Sequence, residues 1–442
     1  MRRTQPLKKA LSISILLAVI MIFVTAAWAA NTEKVLYTFT GREDGASPIS
    51  GLIFDHEGNL YGTASAGGSV ACIGGQEIGC GTVFELTPSA GGGWMETVIY
   101  SFQGGSDGAG PSNLIFDRQG NLYGTTYQGG GSGCFLGCGT VFKLSRAHGV
   151  WVESVLYRFH GGSDGGTPSG VVLDAGGTVY GATYAGGNLT CRSQGTGCGV
   201  LFKLTPSGSG EWSETVVHTF GSTRDDGQFP NPGLVFDRKG NLYGTTQEGG
   251  TSKYGYGTAF ELTPNSGGDW TETLLHSFSG RRDGGIPIGG VISDKSGNLY
   301  GANYNGGLDG GGDVFKLKPL AANGNRWKEK VIYNFGGQQS DGFQPDALVT
   351  FDKDGNLYGT TQYGGGSGSG NGTVVELTPN PHGDWTETVL YSFSGGSDGG
   401  QPVASVIVDS AGNVYGTTWV GGTGNCSGGN GTGCGVVFEV MP

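Results

Sequence analysis

The sequence predicts an all-β fold, a seven-bladed β-propeller of four-stranded blades in which an N-terminal strand completes the last blade. Three observations predict it. A "GNLYG"-type element recurs seven times, each unit holds four strand-like runs, and a run missing from the last unit is present as a spare near the start.

In chain order, residues 1–30 come first. Arg2, Arg3, Lys8 and Lys9 precede an apolar run from Ile13 to Val24, and "AWAA" supplies small residues for cleavage, the layout of a secretory signal peptide. The run is shorter than the roughly 20 residues a helix needs to cross a bilayer. No membrane span is therefore expected after leader removal. Residues 31–442 are read as one domain. Subtracting the four leader cations from the 25 Lys and Arg leaves 21 against 37 Asp and Glu, a net charge of −16. Such a surface repels phosphate backbones, which argues against nucleic acid as a partner. Charged residues are only 14% of the chain and 92 residues are glycine, a composition that favours short strands between tight turns over helices or disorder.

The Asn of "NLYG", or its replacement, stands at positions 59, 121, 178, 241, 298, 356 and 413, a period of about 59 residues and the signature of a repeat fold. In the second unit the four runs are "NLIFD", "NLYGTTY", "GTVFKL" and "WVESVLYRF", rich in β-branched and aromatic residues and bounded by Gly, Pro or Asp. The first two are joined by "DRQGN", with the relatives "DHEGN", "DAGGT", "DRKGN", "DKSGN", "DKDGN" and "DSAGN". Asp caps such a turn and Gly takes the positive φ that closes it. No helix follows the glycines of "YGTTYQGG", so they make no phosphate cradle.

Closure follows from the ends. The last unit stops at "GVVFEVMP", without its "WxETVLYSF" run, while "NTEKVLYTF" at Asn31 to Phe39 has no unit of its own. A ring closed in this way leaves only short, protected edges.

Eight cysteines fall in four local pairs, Cys72 with Cys80, Cys134 with Cys138, Cys191 with Cys198 and Cys426 with Cys434. Each pairing closes a small loop worth roughly 2 to 3 kcal/mol on the chain-entropy model, and an exported chain meets an oxidising compartment. Four intra-loop disulfides are expected in preference to zinc. They belong to units 7, 1, 2 and 3, whereas units 4, 5 and 6 have "TSKYGYG", "LDGGG" and "GSGSGNG" instead, so one half of the loop face should be pinned and the other mobile.

The units, with "DG" before the hairpin Asp, then "GNLYGTT", "GG", "GTVFKL" and "WxETVLYSF", resemble the GloVer tandem repeats of exported bacterial proteins. The hairpin is more loosely similar to that of NHL-type propellers. The resemblance implies a β-propeller and carries over no activity. GloVer chains often have a C-terminal anchor; this one ends at Pro442 without one, which implies a freely secreted or periplasmic form.

Features present in all seven units are structural by symmetry. The "DG" aspartates Asp44, Asp107, Asp164, Asp226, Asp283, Asp341 and Asp398 are read as turn caps, with structural calcium as the alternative, because no unit has the alternating acidic loop of a dedicated calcium site. No other cofactor is expected. His218 and His276 replace the Tyr of "LYSF" on outer strands, and the histidines do not converge, so no metal centre is expected. No serine sits in a nucleophile-elbow context. Glu248, Asp309 and Asp313 are unrepeated acids assigned to loops between second and third strands, candidates for paired-carboxylate chemistry and otherwise solvated.

The informative departures are aromatic. Trp94, Trp151, Trp212, Trp270, Trp327 and Trp385 share one fourth-strand position, and Trp419 does not. Trp419 instead heads a set with Ser65, Tyr127, Tyr184, Gln247, Tyr304 and Gln362, each following a "YGTT"-type run. In a propeller these residues ring one face. Trp419, Tyr127, Tyr184 and Tyr304 could stack on sugar faces, with Gln247, Gln362, Glu248, Arg192 and Lys253 as polar neighbours; packing between blades is the competing role. The sequence thus predicts a monomeric secreted binding module, most plausibly toward polysaccharide or a cell-surface protein. A polysaccharide-cleaving lyase or glycoside hydrolase and a structural envelope component are the alternatives.

Overall fold

Asp117 organises the first hairpin of its unit. Its Oδ1 accepts the backbone N–H groups of Gln119 and Asn121 at 2.9 and 2.8 Å, and Oδ2 accepts Asn121 Nδ2 at 2.7 Å, while Gly120 closes the turn at φ 80°. The same cage recurs at Asp55, Asp237, Asp294, Asp352 and Asp409. At Asp174 the side-chain arm is lost because Thr178 replaces Asn.

The computed structural model describes residues 32–68, 72, 79–191, 195–208, 210–223, 225–320, 326–338, 340–347, 349–366, 370–428 and 431–442. These contain strands and turns without a helix. The strands form seven antiparallel blades, each running outward from the axis in sequence order, as in Ala109–Phe116, Leu122–Gln128, Thr140–Ala147 and Val150–Arg158 of the second blade. The last blade is completed by Thr32–Thr38, paired antiparallel with Val436–Met441. Its register confirms the assignment. Third and fourth strands share a bulge, with Val83 opposite Tyr100 and Phe84 opposite Val98, and the closing pair repeats it with Val437 opposite Tyr37 and Phe438 opposite Val35.

The core lies between blades rather than within them, as seven buried clusters, one per junction. Phe102, at the end of the first blade, meets Phe142 of the second edge-to-face at 5.1 Å between centroids, a favoured aromatic geometry. The glycine of "NLYG" makes room for that phenylalanine: a Cβ on Gly124 would lie 2.6 Å from Phe142 Cζ. In the sixth blade Val375 replaces the phenylalanine. Gly359 there has no heavy atom closer than 3.5 Å to a Cβ, and a small cavity opens among Phe335, Val349, Gly359 and Val375.

Outside the core, the "DG" aspartates cap the turns between blades. Asp107 Oδ2 accepts Gln103 N–H at 2.6 Å, and Tyr100 Oη donates to Asp107 Oδ1 at 2.7 Å; Asp44, Asp164, Asp226, Asp283, Asp341 and Asp398 accept backbone N–H groups likewise.

All four expected disulfides form. The carbonyl of each second cysteine receives the first strand of the next blade: Gly110 N–H donates to Cys80 O at 2.9 Å, Thr167 to Cys138 at 2.7 Å, Phe229 to Cys198 at 2.9 Å and Ser47 to Cys434 at 2.9 Å. In the other blades Tyr256, Gly311 and Asn371 offer the same carbonyl to Ile286, Gln344 and Gln401, each at 2.7 Å.

Candidate binding site

The first strands face the axis and enclose a channel of about 750 Å³. Its wall is largely aliphatic, from Ile49, Leu52, Leu114, Val171, Leu234 and Val403 among others. One end of the channel is ringed by the residues that follow the second-strand "YGTT" runs. Ser65, Tyr127, Gln247, Gln362 and Trp419 all line it.

Backbone conformation fixes this ring. Just before the proline of each first strand stand Ser47, Gly110, Thr167, Phe229, Ile286, Gln344 and Gln401, all at φ between 52° and 65°. Positive φ is unusual for any non-glycine residue and more so for Thr, Phe or Ile. Strain of this kind persists only where the surroundings enforce it, here through the inter-blade hydrogen bonds from the same N–H groups. The ring side chains pack on these residues. Ser65 Oγ donates to Ser47 O at 2.9 Å, and the Tyr127 ring fills the space where Gly110 has no Cβ. Gln247 Nε2 donates to Asn231 Oδ1 at 3.1 Å.

The expected ring divides accordingly. Trp419, Tyr127, Gln247 and Gln362 reach the channel. Tyr184 stacks on Phe229 at 4.6 Å between centroids and 24° between planes while remaining 41% exposed. Tyr304 Oη lies within hydrogen-bond distance of Gln344 Oε1 and Gln362 Oε1, at 2.9 and 3.0 Å. Both tyrosines therefore bridge neighbouring blades and stand outside the channel wall. Lys253 covers the ring of Tyr254, its Nζ 4.9 Å from the centroid. Arg192 lies outside the described residues.

Two acids need relocation. Glu248 lies on the second strand, Leu242–Gly249, opposite Gln228. Asp313 begins the third strand, Asp313–Pro319. There it is buried and receives Asn303 Nδ2 at 2.9 Å, and burial holds its carboxyl well above the usual range. The pair Asn303 and Asp313 replaces the buried threonine pairs of other blades, such as Thr126 with Thr140 at 2.9 Å. Asp313 is thus a strand residue of the core, not a solvated loop acid; Asp309 remains exposed in its loop.

Sequence reasoning missed Asp346. It is the single acid among the described residues lining the channel, and burial pushes its carboxyl up to about 7. The phenol of Tyr304 is raised by its own burial and then by the charge of Asp346. The signal lay in "QPDA": positions just after the strand proline elsewhere hold Ile49, Ser112, Ser169, Asn231, Ile288 and Val403. A second cluster was also missed. His218 does converge with acids, standing 3.6 Å from Asp226 and 3.8 Å from Glu272. No helix among the described residues is long and apolar enough to cross a membrane.

Residues 21–188 and 189–429 each match the Gloeobacter/Verrucomicrobia repeat. Comparison with curated proteins finds no match. Among solved structures, a protein from Lactobacillus plantarum is similar at 12% identity, over 81% of this chain and 95% of that one, with a TM-score of 0.52. The extracellular domain of a chain assigned as a one-component system from B. thetaiotaomicron is similar at 10% identity and a TM-score of 0.52, over 92% of this chain but 39% of that one. Both likenesses show the fold.

Proposed function

Because the chain belongs to the Gloeobacter/Verrucomicrobia repeat family and its repeats surround one asymmetric channel, we propose that it is an exported binding module for polysaccharide or another sugar-bearing surface partner. The carrying observation is the break of symmetry at the ring. Trp419 and Tyr127 offer aromatic faces, Gln247 and Gln362 offer amides, and Asp346 adds one acid to a largely aliphatic wall. Sugars are recognised by such mixtures, with stacking on their apolar faces and hydrogen bonds to their hydroxyls. Among the described residues the channel is lined by one acid, which supports binding over hydrolysis by a pair of carboxyl groups flanking the scissile bond. The disulfides and the leader-like N-terminus support export.

The test is a thermal-shift series with soluble oligosaccharides, since a ligand of the native state raises the melting temperature by mass action. One sugar class should give a shift that Trp419→Ala removes without lowering the melting temperature of the free protein. No shift with any class, or unfolding of the Trp419→Ala protein, would return the ring to a packing role.

A further inference from the structure

At the outer seam between the third and fourth blades the repeat changes its chemistry. In neighbouring seams a tyrosine meets the capping aspartate, as Tyr100 does Asp107 at 2.7 Å and Tyr157 does Asp164 at 3.1 Å. His218 on the strand Trp212–Thr219 takes the tyrosine's place here. Its Nε2 lies 3.6 Å from Asp226 Oδ1 and 3.8 Å from Glu272 Oε2, beyond a hydrogen bond. Asp226 is only 6% exposed, and its Oδ1 and His218 Nε2 have no hydrogen-bond partner. Ser222 N–H holds the other Asp226 oxygen at 2.9 Å, so the unpartnered one is fixed toward the imidazole. One seam further on, His276 Nε2 reaches Asp283 Oδ2 at 3.3 Å and the difficulty does not arise.

Buried polar atoms normally have partners, and one cation would serve the Asp226 oxygen and the imidazole together, with the Glu272 carboxylate within reach. Tetrahedral donors at metal distances of about 2.0 to 2.2 Å stand about 3.3 to 3.6 Å apart, close to the two spacings from the imidazole, and all three donor atoms lie within 4.8 Å of one another. We propose that His218, Asp226 and Glu272 form a site for one divalent cation of the zinc class, with water in the remaining position, clamping the third blade to the fourth. An imidazole beside two carboxylates fits zinc better than calcium or magnesium, which prefer oxygen alone, and the absence of thiolate argues against copper(I). The clamp would join the last disulfide-bearing blade to the first without one.

The protein, expressed with its own leader and purified without a polyhistidine tag, is stripped with chelator and titrated with Co²⁺, whose visible bands report its coordination, and then with Zn²⁺ in competition. One equivalent should bind per chain, with a rise in melting temperature that chelator reverses. His218→Tyr installs the residue that other seams use, so the ring should fold and the binding should vanish; His276→Tyr should bind as the parent does. Glu272→Gln, expected to weaken binding, keeps the test open should His218→Tyr fail to fold. Folded parent protein that takes up neither metal would overturn the proposal and leave a protonated imidazole between two carboxylates. Binding undiminished in His218→Tyr would overturn it equally.

Discussion

Gly301 and Gly359 occupy the same place in the repeat and should respond differently to one added methyl group. A Cβ on Gly301 would meet Phe315 Cζ at 2.6 Å, whereas on Gly359 its nearest neighbour is Val349 at 3.5 Å. Overpacking a tight core costs about 1 to 3 kcal/mol. Gly301→Ala should lose stability in that range in urea denaturation, while Gly359→Ala should lose clearly less; equal losses would show that backbone freedom, not the ring, selects glycine. Asp346 gives a second prediction. Burial pushes its carboxyl up from 3.8 to about 7, so the folded state prefers the proton and stability falls as pH rises from the lower value and is lost through the higher. Asp346→Asn should exceed the parent's melting temperature by more at pH 8 than at pH 5. A difference that does not widen with pH would mean the carboxylate is solvated. Neither residue explained itself in the sequence. The glycine motif was visible, but its cause is a phenylalanine ring on the neighbouring strand, and the odd acid in "QPDA" acquired a meaning only once seven first strands were gathered around an axis.

Among elements, the closing strand was the most legible. Its recognition needed only four runs per unit, a deficit at one end and a surplus at the other, and the bulge register agrees. Deleting residues 32–38 should expose the edge of Val436–Met441 and remove Leu36 from the junction cluster that holds Phe39 and Phe84. The melting temperature should drop and the protein should self-associate in light scattering; a truncated protein that melts like the intact one would refute closure. The ring around the channel was only partly legible. The second-strand pattern put seven side chains on one face, yet which of them turn inward depends on the residue before each strand proline. Tyr127 folds over Gly110 of its own blade, while Tyr184 stacks on Phe229 of the next. For Tyr184, as for Tyr304, the partner is set by the next repeat, out of reach of any reading of one unit at a time.

At the scale of the molecule, the outer seams make the whole ring sensitive to pH. Glu33, Glu96, Glu153, Glu214, Glu329 and Glu387 are each pushed up to about 7, first by burial and then by the charge of the capping aspartate across the seam, respectively Asp398, Asp44, Asp107, Asp164, Asp283 and Asp341. Their folded values exceed the ordinary 4.5, so the folded state binds more protons. The stability they contribute is complete below about 4.5 and is lost as pH rises through about 7. The melting temperature should decline from pH 5 to pH 8, and a flat or rising profile would show that these carboxyls are hydrated. Closure, finally, imposes an order in time. Thr32–Thr38 is made before the other blade strands and waits for Val436–Met441, which follows them, so during synthesis the circle stays incomplete however well its middle blades have formed. Until then the growing protein carries an open edge at each end of the array, the condition in which strands pair with strangers. The spacing of the two outermost partners along the chain sets how long that exposure lasts.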